Sequence, residues 1–165
     1  MHKMKIGVIS DTHIPDRADR LPQQVLDAFK GVDMVIHAGD LVNFSVIDEL
    51  KKYCANVKVV CGNMDSDSEC INIPKKEIIT VGNFRIGLMH GYGSPASLIE
   101  NLQKEFKFDN VNMVIFGHSH NAVNEERGGV IFFNPGSPTD KVFARYNSYG
   151  IIEINDHIKA KIIKL

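Results

Sequence analysis

Runs of consecutive apolar residues, separated by polar and glycine-containing segments, recur along the chain and predict buried strands. In the N-terminal half, runs over 6–9 and 34–38 enclose a segment over 21–29 whose apolar positions recur at helical spacing. The same order repeats with a helix over 45–51 and a run over 57–61. The pattern therefore predicts strand–helix–strand units, whose crossovers should be right-handed.

The pattern changes in the second half of the chain. Runs over 78–81 and 84–89 flank a Gly-Asn pair, which predicts an antiparallel hairpin. A helix with one apolar face is predicted over 95–106, and a strand follows it over 113–116. Further strands are predicted over 122–126, 130–134, 150–154 and 158–165. An α/β half followed by a β-rich half predicts a four-layer αββα sandwich of two mixed β-sheets flanked by helices.

Composition and charge narrow the class of protein. A chain of 165 residues with 44% apolar residues can bury one core, so we expect a single domain over 1–165. The net charge of −1 provides no field to attract long nucleic acid or an anionic membrane. Cys54, Cys61 and Cys70 form no Cys-x-x-Cys pair, which argues against a disulfide framework and for a reducing compartment. The N-terminal apolar run is too short for a signal peptide or a membrane span, so we expect a cytoplasmic protein.

Side chains that could carry chemistry stand at the ends of the predicted strands. The carboxyl ends of strands in an open α/β sheet share one edge, so these side chains should converge. His13 lies two positions after Asp11, and His120 lies two positions after His118, so two more imidazoles join this group. The strand-end residues are Asp11, Asp40, Asn63, His90 and His118, and the added imidazoles are His13 and His120.

This group of two carboxylates, one amide and four imidazoles could hold two cations. Oxygen and nitrogen ligands without thiolates suit manganese, iron, nickel or zinc. Two cations about 3.5 to 4 Å apart can activate a water and stabilise the oxygens of a displacement at phosphorus. The pattern therefore predicts phosphoester hydrolysis.

Each of these residues also has a structural interpretation. A single Asp at a strand end is most often a turn former or a helix cap. The Gly-His-Ser-His segment at 117–120 is more specific, because two imidazoles two positions apart beside glycine have little packing rationale. His37 lies inside an apolar run, where a hydrogen-bonded role in the core is expected instead of metal binding.

The candidate ligands form sequence blocks that resemble the calcineurin-like metallophosphoesterase superfamily. The order and spacing of the blocks match along nearly the whole chain. The short length and the Asn-Pro-Gly-Ser segment at 134–137 resemble its small YfcE-type phosphodiesterase branch. The blocks are Asp11-Thr12-His13, Gly39-Asp40, Gly62-Asn63, His90-Gly91 and Gly117-His118-Ser119-His120.

The resemblance implies two divalent metal ions, with Mn²⁺ as a common working metal, and a metal-bridging hydroxide as the nucleophile. Asp40 would bridge the two ions, and Asp40, Asn63 and His90 would act in catalysis as metal-site residues. One ion would be held by Asp11, His13, Asp40 and His120, and the other by Asp40, Asn63, His90 and His118.

The chain departs from the family pattern at Met64, where many members have a histidine that can donate a proton or bind phosphate. Asp65 is a candidate replacement for the proton donor, although a turn or supporting role is at least equally expected. The acidic segment 65–69 disfavours long nucleic acid, so small phosphodiesters are the expected substrates. Arg17 and Arg20 could contact a phosphate, but pairing with the acidic segment or solvation is favoured.

Two other function classes remain open from the sequence. The fold also carries retromer-subunit-like scaffolds that bind proteins without catalysis, but all seven expected ligand positions are filled here. Within the enzyme class, a phosphomonoesterase or a nuclease is an alternative to a phosphodiesterase. Exposed strand edges leave a homo-oligomer open.

Overall fold

The computed structural model describes residues 3–165, and these contain ten strands and three α-helices. None of the helices in this range has the length and hydrophobicity needed to cross a membrane. The strands are β1 (Met4–Ile9), β2 (Met34–His37), β3 (Val57–Val59), β4 (Lys76–Val81), β5 (Phe84–Met89), β6 (Met113–Ile115), β7 (Val123–Arg127), β8 (Val130–Asn134), β9 (Ser148–Ile154) and β10 (Ile158–Lys164). The helices are α1 (Gln23–Ala28), α2 (Ser45–Lys51) and α3 (Leu98–Glu105), with a short 3₁₀ helix at Glu69–Asn72.

The strands form two mixed, five-stranded sheets. The first has the order β10-β9-β1-β2-β3, in which β1, β2 and β3 are parallel and β9 and β10 are antiparallel to their neighbours. The second has the order β4-β5-β6-β8-β7, with β5, β6 and β8 parallel between two antiparallel edge strands. Each sheet therefore has a parallel part whose carboxyl ends share an edge.

The hydrophobic core lies in three layers of contact. Ile6 of the first sheet and Ile86 and Ile115 of the second belong to one buried cluster, which joins the two sheets face to face. Phe29, just after α1, packs on the outer side of the first sheet, and Phe106, just after α3, packs on the outer side of the second. The layer order is αββα, which confirms the predicted fold class.

Glycine allows the helices to approach both sheets closely. A Cβ atom at Gly7 in β1 would lie 2.5 Å from the Phe29 ring, and one at Gly87 in β5 would lie 2.5 Å from the Phe106 ring. Real Cβ atoms do not approach other atoms so closely, so the two rings occupy space that only glycine leaves open.

The cysteines differ from the sequence-based expectation. Cys61 and Cys70 form a disulfide, and Cys54 is a buried free cysteine. The prediction against disulfide pairing was wrong, because pairing depends on how closely the backbone approaches and not on a Cys-x-x-Cys spacing. The 3₁₀ helix at Glu69–Asn72 turns the chain back so that the Cα atoms of Cys61 and Cys70 are 6.1 Å apart.

Candidate metal centre

The seven predicted ligands all lie in the loops that follow the carboxyl ends of β1, β2, β3, β5 and β6. Three of these strands belong to the first sheet and two to the second, so the site forms where the edges of the two sheets meet. The structure therefore brings together side chains that are up to 109 positions apart, from Asp11 to His120, as their contacts show.

The backbone at this edge adopts an unusual conformation. Non-glycine residues rarely have a positive φ, which costs about 1–3 kcal/mol, and such residues cluster at functional sites. Five of the predicted ligands have it: Asp11 (φ 56°), His13 (43°), Asp40 (58°), His118 (71°) and His120 (61°). The sharp turns direct these side chains into one space.

One compact group matches the first predicted ligand set. The candidate donor atoms of Asp11, His13, Asp40 and His120 all lie within 4.8 Å of one another. Asp11 Oδ1 is 3.4 Å from His120 Nε2 and 3.9 Å from His13 Nε2. Two carboxylates and two imidazoles at this separation are suited to a divalent cation.

The second predicted set lies on the other side of Asp40. His90 Nε2 is 3.2 Å from Asp40 Oδ2, and His118 Nδ1 is 3.2 Å from Asn63 Oδ1. The rings of His90 and His118 meet edge to face with centroids 5.4 Å apart. These side chains are therefore neighbours, but Asn63 is exposed and this half of the site is more open.

Two buried nitrogen atoms fit the requirement for a metal. His13 Nε2 and His90 Nε2 are buried and have no hydrogen-bond partner among the described residues. A buried polar atom without a partner costs about 1–3 kcal/mol. Both nitrogens lie near Asp40 Oδ2, as expected of ligands in a divalent metal site.

Hydrogen bonds orient the two carboxylates. Asp11 Oδ2 accepts a hydrogen bond from the Ser10 hydroxyl at 2.7 Å, and the His118 N–H is shared between Oδ2 (3.1 Å) and Oδ1 (3.3 Å), so that Oδ1 is the oxygen beside the imidazoles. Asp40 Oδ1 accepts the Met64 N–H at 2.8 Å, which leaves Oδ2 for the site. Each carboxylate therefore presents one oxygen to the predicted ligands.

Two of the imidazoles also have their tautomer fixed by a bond at the other ring nitrogen. His90 Nδ1 donates to the Ala38 carbonyl at 2.8 Å, and His120 Nδ1 donates to the Asp140 carboxylate. When the ring is neutral, Nε2 is then the atom whose lone pair faces the site. His37, by contrast, is fully buried and bonded to the Thr12 hydroxyl, consistent with the expected core role.

The carboxylates and imidazoles of the site stabilise each other's charged forms. Burial disfavours a charged imidazole at His90, but the carboxylates of Asp11 and Asp40 outweigh it and raise the pKa of His90 to about 9. Burial also opposes ionisation of Asp11 and Asp40, but the neighbouring imidazoles lower the pKa of both carboxyls. The site therefore keeps its carboxylates ionised and attracts positive charge, as a cation site requires.

Asp65 does not have the position expected of a proton donor. Its two oxygens accept backbone N–H groups from Asp40, Gly62 and Val42, each at 2.8 Å. The side chain is buried and is not among the residues that line the cavity above the site. A carboxylate that accepts three N–H donors braces the loops, so this geometry favours the supporting role that the sequence left open beside the proton-donor hypothesis.

A cavity of about 610 Å³ opens above the predicted ligands. Arg17, Met64 and Phe143 form part of its wall. Arg17 pairs with Asp140 and not with the acidic segment 65–69, which corrects the pairing expected from the sequence. The lining residues are His13, Asp16, Arg17, Asp40, Asn63, Met64, Pro95, His118, Ser119, His120 and Phe143.

Sequence reasoning missed the segment after β8 that supports the site. Ser137 donates its hydroxyl to the Asp11 carbonyl at 2.7 Å, and Asn134 donates to the Gly117 carbonyl at 2.9 Å. Asp140 lies in the same segment and receives the His120 hydrogen bond. The polar residues of the Asn-Pro-Gly-Ser block were a signal, but only the fold shows that they reach the loops of two predicted ligands.

Comparison with known proteins agrees with this geometry. A probable metallophosphoesterase of Methanothermobacter thermautotrophicus is 40% identical over 82% of this chain and 78% of its own length. The crystal structure of Vps29 from Entamoeba histolytica complexed with Zn²⁺ is 30% identical, with a TM-score of 0.78 over 98% of this chain and 99% of that one. The structure of an archaeal phosphodiesterase is 26% identical, with a TM-score of 0.77 over 98% of this chain and 100% of that one.

A sequence model of a protein family also matches this chain. The sequence model of the calcineurin-like phosphoesterase superfamily domain covers residues 4–157, which include β1 to β9 and all the predicted ligands. With two mixed sheets, a group of Asp and His residues suited to a divalent metal at their shared edge, and this match over nearly its whole length, the chain belongs to the calcineurin-like phosphoesterase superfamily.

Proposed function

We propose that this chain is a binuclear-metal-dependent phosphodiesterase that hydrolyses small phosphodiesters. The observation that carries the proposal is the position of Asp40 Oδ2, 3.4 Å from His13 Nε2 and 3.2 Å from His90 Nε2. One imidazole belongs to each predicted ligand set, and both nitrogens are buried without a hydrogen-bond partner in the described part of the chain. A carboxylate oxygen between two such nitrogens is suited to bridging two cations.

The chain contributes ligands and the groups that orient them. Asp11, His13 and His120 would complete one cation site with Asp40, while Asn63, His90 and His118 would complete the other. Two divalent cations, for which Mn²⁺ is the favoured metal, would supply an activated water when bound and would neutralise negative charge on the phosphoryl oxygens. Ser10, Met64, Ala38 and Asp140 hold the ligands in place before substrate arrives, so little reorganisation is needed during the reaction.

Neither Met64 nor Asp65, the two positions considered for a proton donor, is suited to protonate the leaving oxygen. Met64 has no proton to give, and both oxygens of Asp65 accept backbone N–H groups. General acid catalysis contributes about 10²- to 10⁴-fold in rate, so turnover should be modest and should depend steeply on the acidity of the leaving group. Substrates with acidic leaving groups are therefore favoured.

Small substrates fit the surroundings of the site better than long nucleic acid does. A cavity of about 610 Å³ has the size of a small-molecule pocket. Asp16 and Asn63 line the cavity, and two acidic residues, Asp67 and Glu69, follow Asn63 in the sequence. The net charge of the chain is −1. Polyanions gain no long-range attraction from such a surface.

A protein-binding scaffold is the second candidate function. The similarity to Vps29 of Entamoeba histolytica favours it, as do large apolar side chains that are exposed away from the core, such as Phe108 (86% exposed) and Ile71 (78% exposed). Exposed apolar side chains of this size are common at protein interfaces, although single ones also occur on ordinary surfaces. A phosphomonoesterase or nuclease is the alternative within the enzyme class.

One comparison tests the proposal against these alternatives. Metal-stripped protein is assayed with and without Mn²⁺ on bis-p-nitrophenyl phosphate, p-nitrophenyl phosphate and single-stranded DNA, beside an Asp40→Asn variant. The proposal expects Mn²⁺-dependent hydrolysis that is fastest on the diester and lost in the variant. Two bound metals without hydrolysis of any of the three would favour the scaffold, and preference for the monoester or DNA would correct the substrate class.

A further inference from the structure

One permanently charged basic side chain is among the described residues that line the cavity above the predicted ligands. Among the described residues that line the cavity, Arg17 is the one Lys or Arg. Met64 also lines the cavity, and its side chain has no hydrogen-bond donor. Any substrate group that needs a side-chain cation beyond the imidazoles must therefore find it at Arg17.

Arg17 is held in place from three directions. Its backbone N–H donates to the His13 carbonyl at 2.7 Å, which ties it to the turn that carries a predicted ligand. Its Nε is 3.7 Å from Asp140 Oδ1, and its guanidinium carbon is 5.3 Å from the centre of the Phe143 ring. The side chain is 31% exposed, so most of its length is packed while part of it reaches the cavity.

These contacts orient the guanidinium group without using its donors. Within residues 3–165, the Arg17 side chain donates no hydrogen bond, and its Nε lies at an ion-pair distance of 3.7 Å from Asp140 Oδ1. Contact with an aromatic ring and pairing with a buried carboxylate restrict the positions that the group can take. A guanidinium group that is already restrained loses less side-chain entropy on binding a phosphoryl group than a freely rotating one does.

Asp140 connects this cation to the metal centre. The same carboxylate accepts the hydrogen bond from His120 Nδ1, and the rings of His120 and Phe143 meet edge to face with centroids 5.9 Å apart. The guanidinium group is therefore positioned relative to His120, and hence relative to the first predicted cation site. Arg20, three positions further on, is exposed and does not line the cavity.

From this geometry we infer that Arg17 binds the phosphoryl oxygens of the substrate, with Asp140 and Phe143 as its positioning residues. The inference rests on the proposed function, because it assumes that the cavity receives a phosphoester. Arginine presents paired N–H donors that match two phosphoryl oxygens, whereas lysine offers only a point charge. Arg17 thereby supplies recognition of the phosphoryl group in a cavity where Met64 offers no donor.

The inference is tested by titrating inorganic phosphate into Mn²⁺-loaded protein and measuring heat. We expect Arg17→Ala to weaken phosphate binding about 10- to 100-fold, the effect of losing a charge-assisted hydrogen bond, and Arg17→Lys to weaken it less. Mn²⁺ affinity and the unfolding temperature should stay unchanged. Arg20→Ala is the matched control and should bind phosphate as the wild type does.

The outcomes separate this inference from the proposed function. Phosphate binding that depends on Arg17, in a protein that hydrolyses no ester, supports the inference and contradicts the proposed function. Mn²⁺-dependent hydrolysis with equal phosphate affinity in the Arg17→Ala and Arg20→Ala variants overturns the inference and leaves the function standing. The inference is also overturned if the metal-loaded wild type binds no phosphate.

Discussion

The carboxylate of Asp140 accepts a hydrogen bond from Nδ1 of His120, and both side chains are buried. Asp140 also accepts the backbone N–H groups of Val142 at 2.9 Å and Phe143 at 3.1 Å, so its own position is fixed. Burial opposes ionisation of Asp140, but its hydrogen bond with His120 and these N–H groups lower its pKa. An ionised carboxylate at Nδ1 holds the His120 ring with Nε2 facing Asp11.

Removal of this carboxylate should weaken metal binding. We expect Asp140→Ala to lower Mn²⁺ affinity about 10- to 100-fold, because supporting residues of metal-bound histidines have effects of this size. Asp140→Asn keeps an acceptor oxygen, so its loss should be smaller. Calorimetric titration with Mn²⁺ measures both, and thermal unfolding of the metal-free proteins controls for misfolding. Equal Mn²⁺ affinity in the wild type and the Asp140→Ala variant would show that His120 needs no such support.

Asp65 should act on stability and not on proton transfer. Asp65→Ala leaves the buried N–H group of Asp40 and the part-buried N–H groups of Gly62 and Val42 without their acceptor, and a buried unsatisfied group costs about 1–3 kcal/mol. We expect a loss of at least about 2 kcal/mol in the free energy of unfolding, measured in urea.

The kinetic control for Asp65 uses the acidity of the leaving group. A proton donor assists poor leaving groups most, so its removal steepens the dependence of kcat on leaving-group acidity. A bracing residue leaves that slope unchanged in the Asp65→Asn variant. A steeper slope with unchanged stability would restore the proton-donor hypothesis.

The fold class and the meeting of the predicted ligands followed from local patterns. Apolar runs of strand length, and segments of helical periodicity between some of them, are visible in the sequence. Parallel strands place their carboxyl ends together whatever the order of the sheet. That is why Asp11 at the end of β1 and His90 at the end of β5 could be placed at one edge before the two sheets were known.

The features that the sequence did not show depend on contacts between distant segments. Asp140 is 20 positions from His120, in a segment without periodicity, so nothing local marks it as a partner. Val42, a β-branched residue, has a positive φ (70°) that its propensity does not predict, and its N–H is bonded to the distant Asp65. The pairing of Cys61 with Cys70 likewise requires the turn between them.

The disulfide can be checked by counting thiols. Unfolded, unreduced protein should react with a thiol reagent at one cysteine, Cys54, and reduced protein at three. Closing the loop between Cys61 and Cys70 should stabilise the fold by about 2–3 kcal/mol, from the loop-entropy relation for a separation of 9 residues.

The Cys61→Ser/Cys70→Ser variant measures that stabilisation in urea and also reports on the site, since the loop between the two cysteines carries Asn63. We expect lower stability and weaker binding of the second Mn²⁺. Cys54→Ser is the control for thiol counting, because it should remove the single reactive thiol of the unreduced protein. Three reactive thiols in unreduced wild-type protein would contradict the pairing.

The two predicted cation sites should be separable by mutation, since they share Asp40 but differ in their other ligands. The four donors of the first site lie within 4.8 Å of one another without Asn63, so Asn63→Ala should reduce the stoichiometry from two Mn²⁺ per chain to one. Asp40→Asn should impair both sites, because both His13 and His90 face Asp40 Oδ2. Equilibrium dialysis with metal analysis gives the stoichiometries, and His157→Ala, at the turn between β9 and β10, is the control. If the Asn63→Ala variant still binds two ions with wild-type affinity, Asn63 is not a ligand and the second site must be built from the imidazoles of His90 and His118 with Asp40.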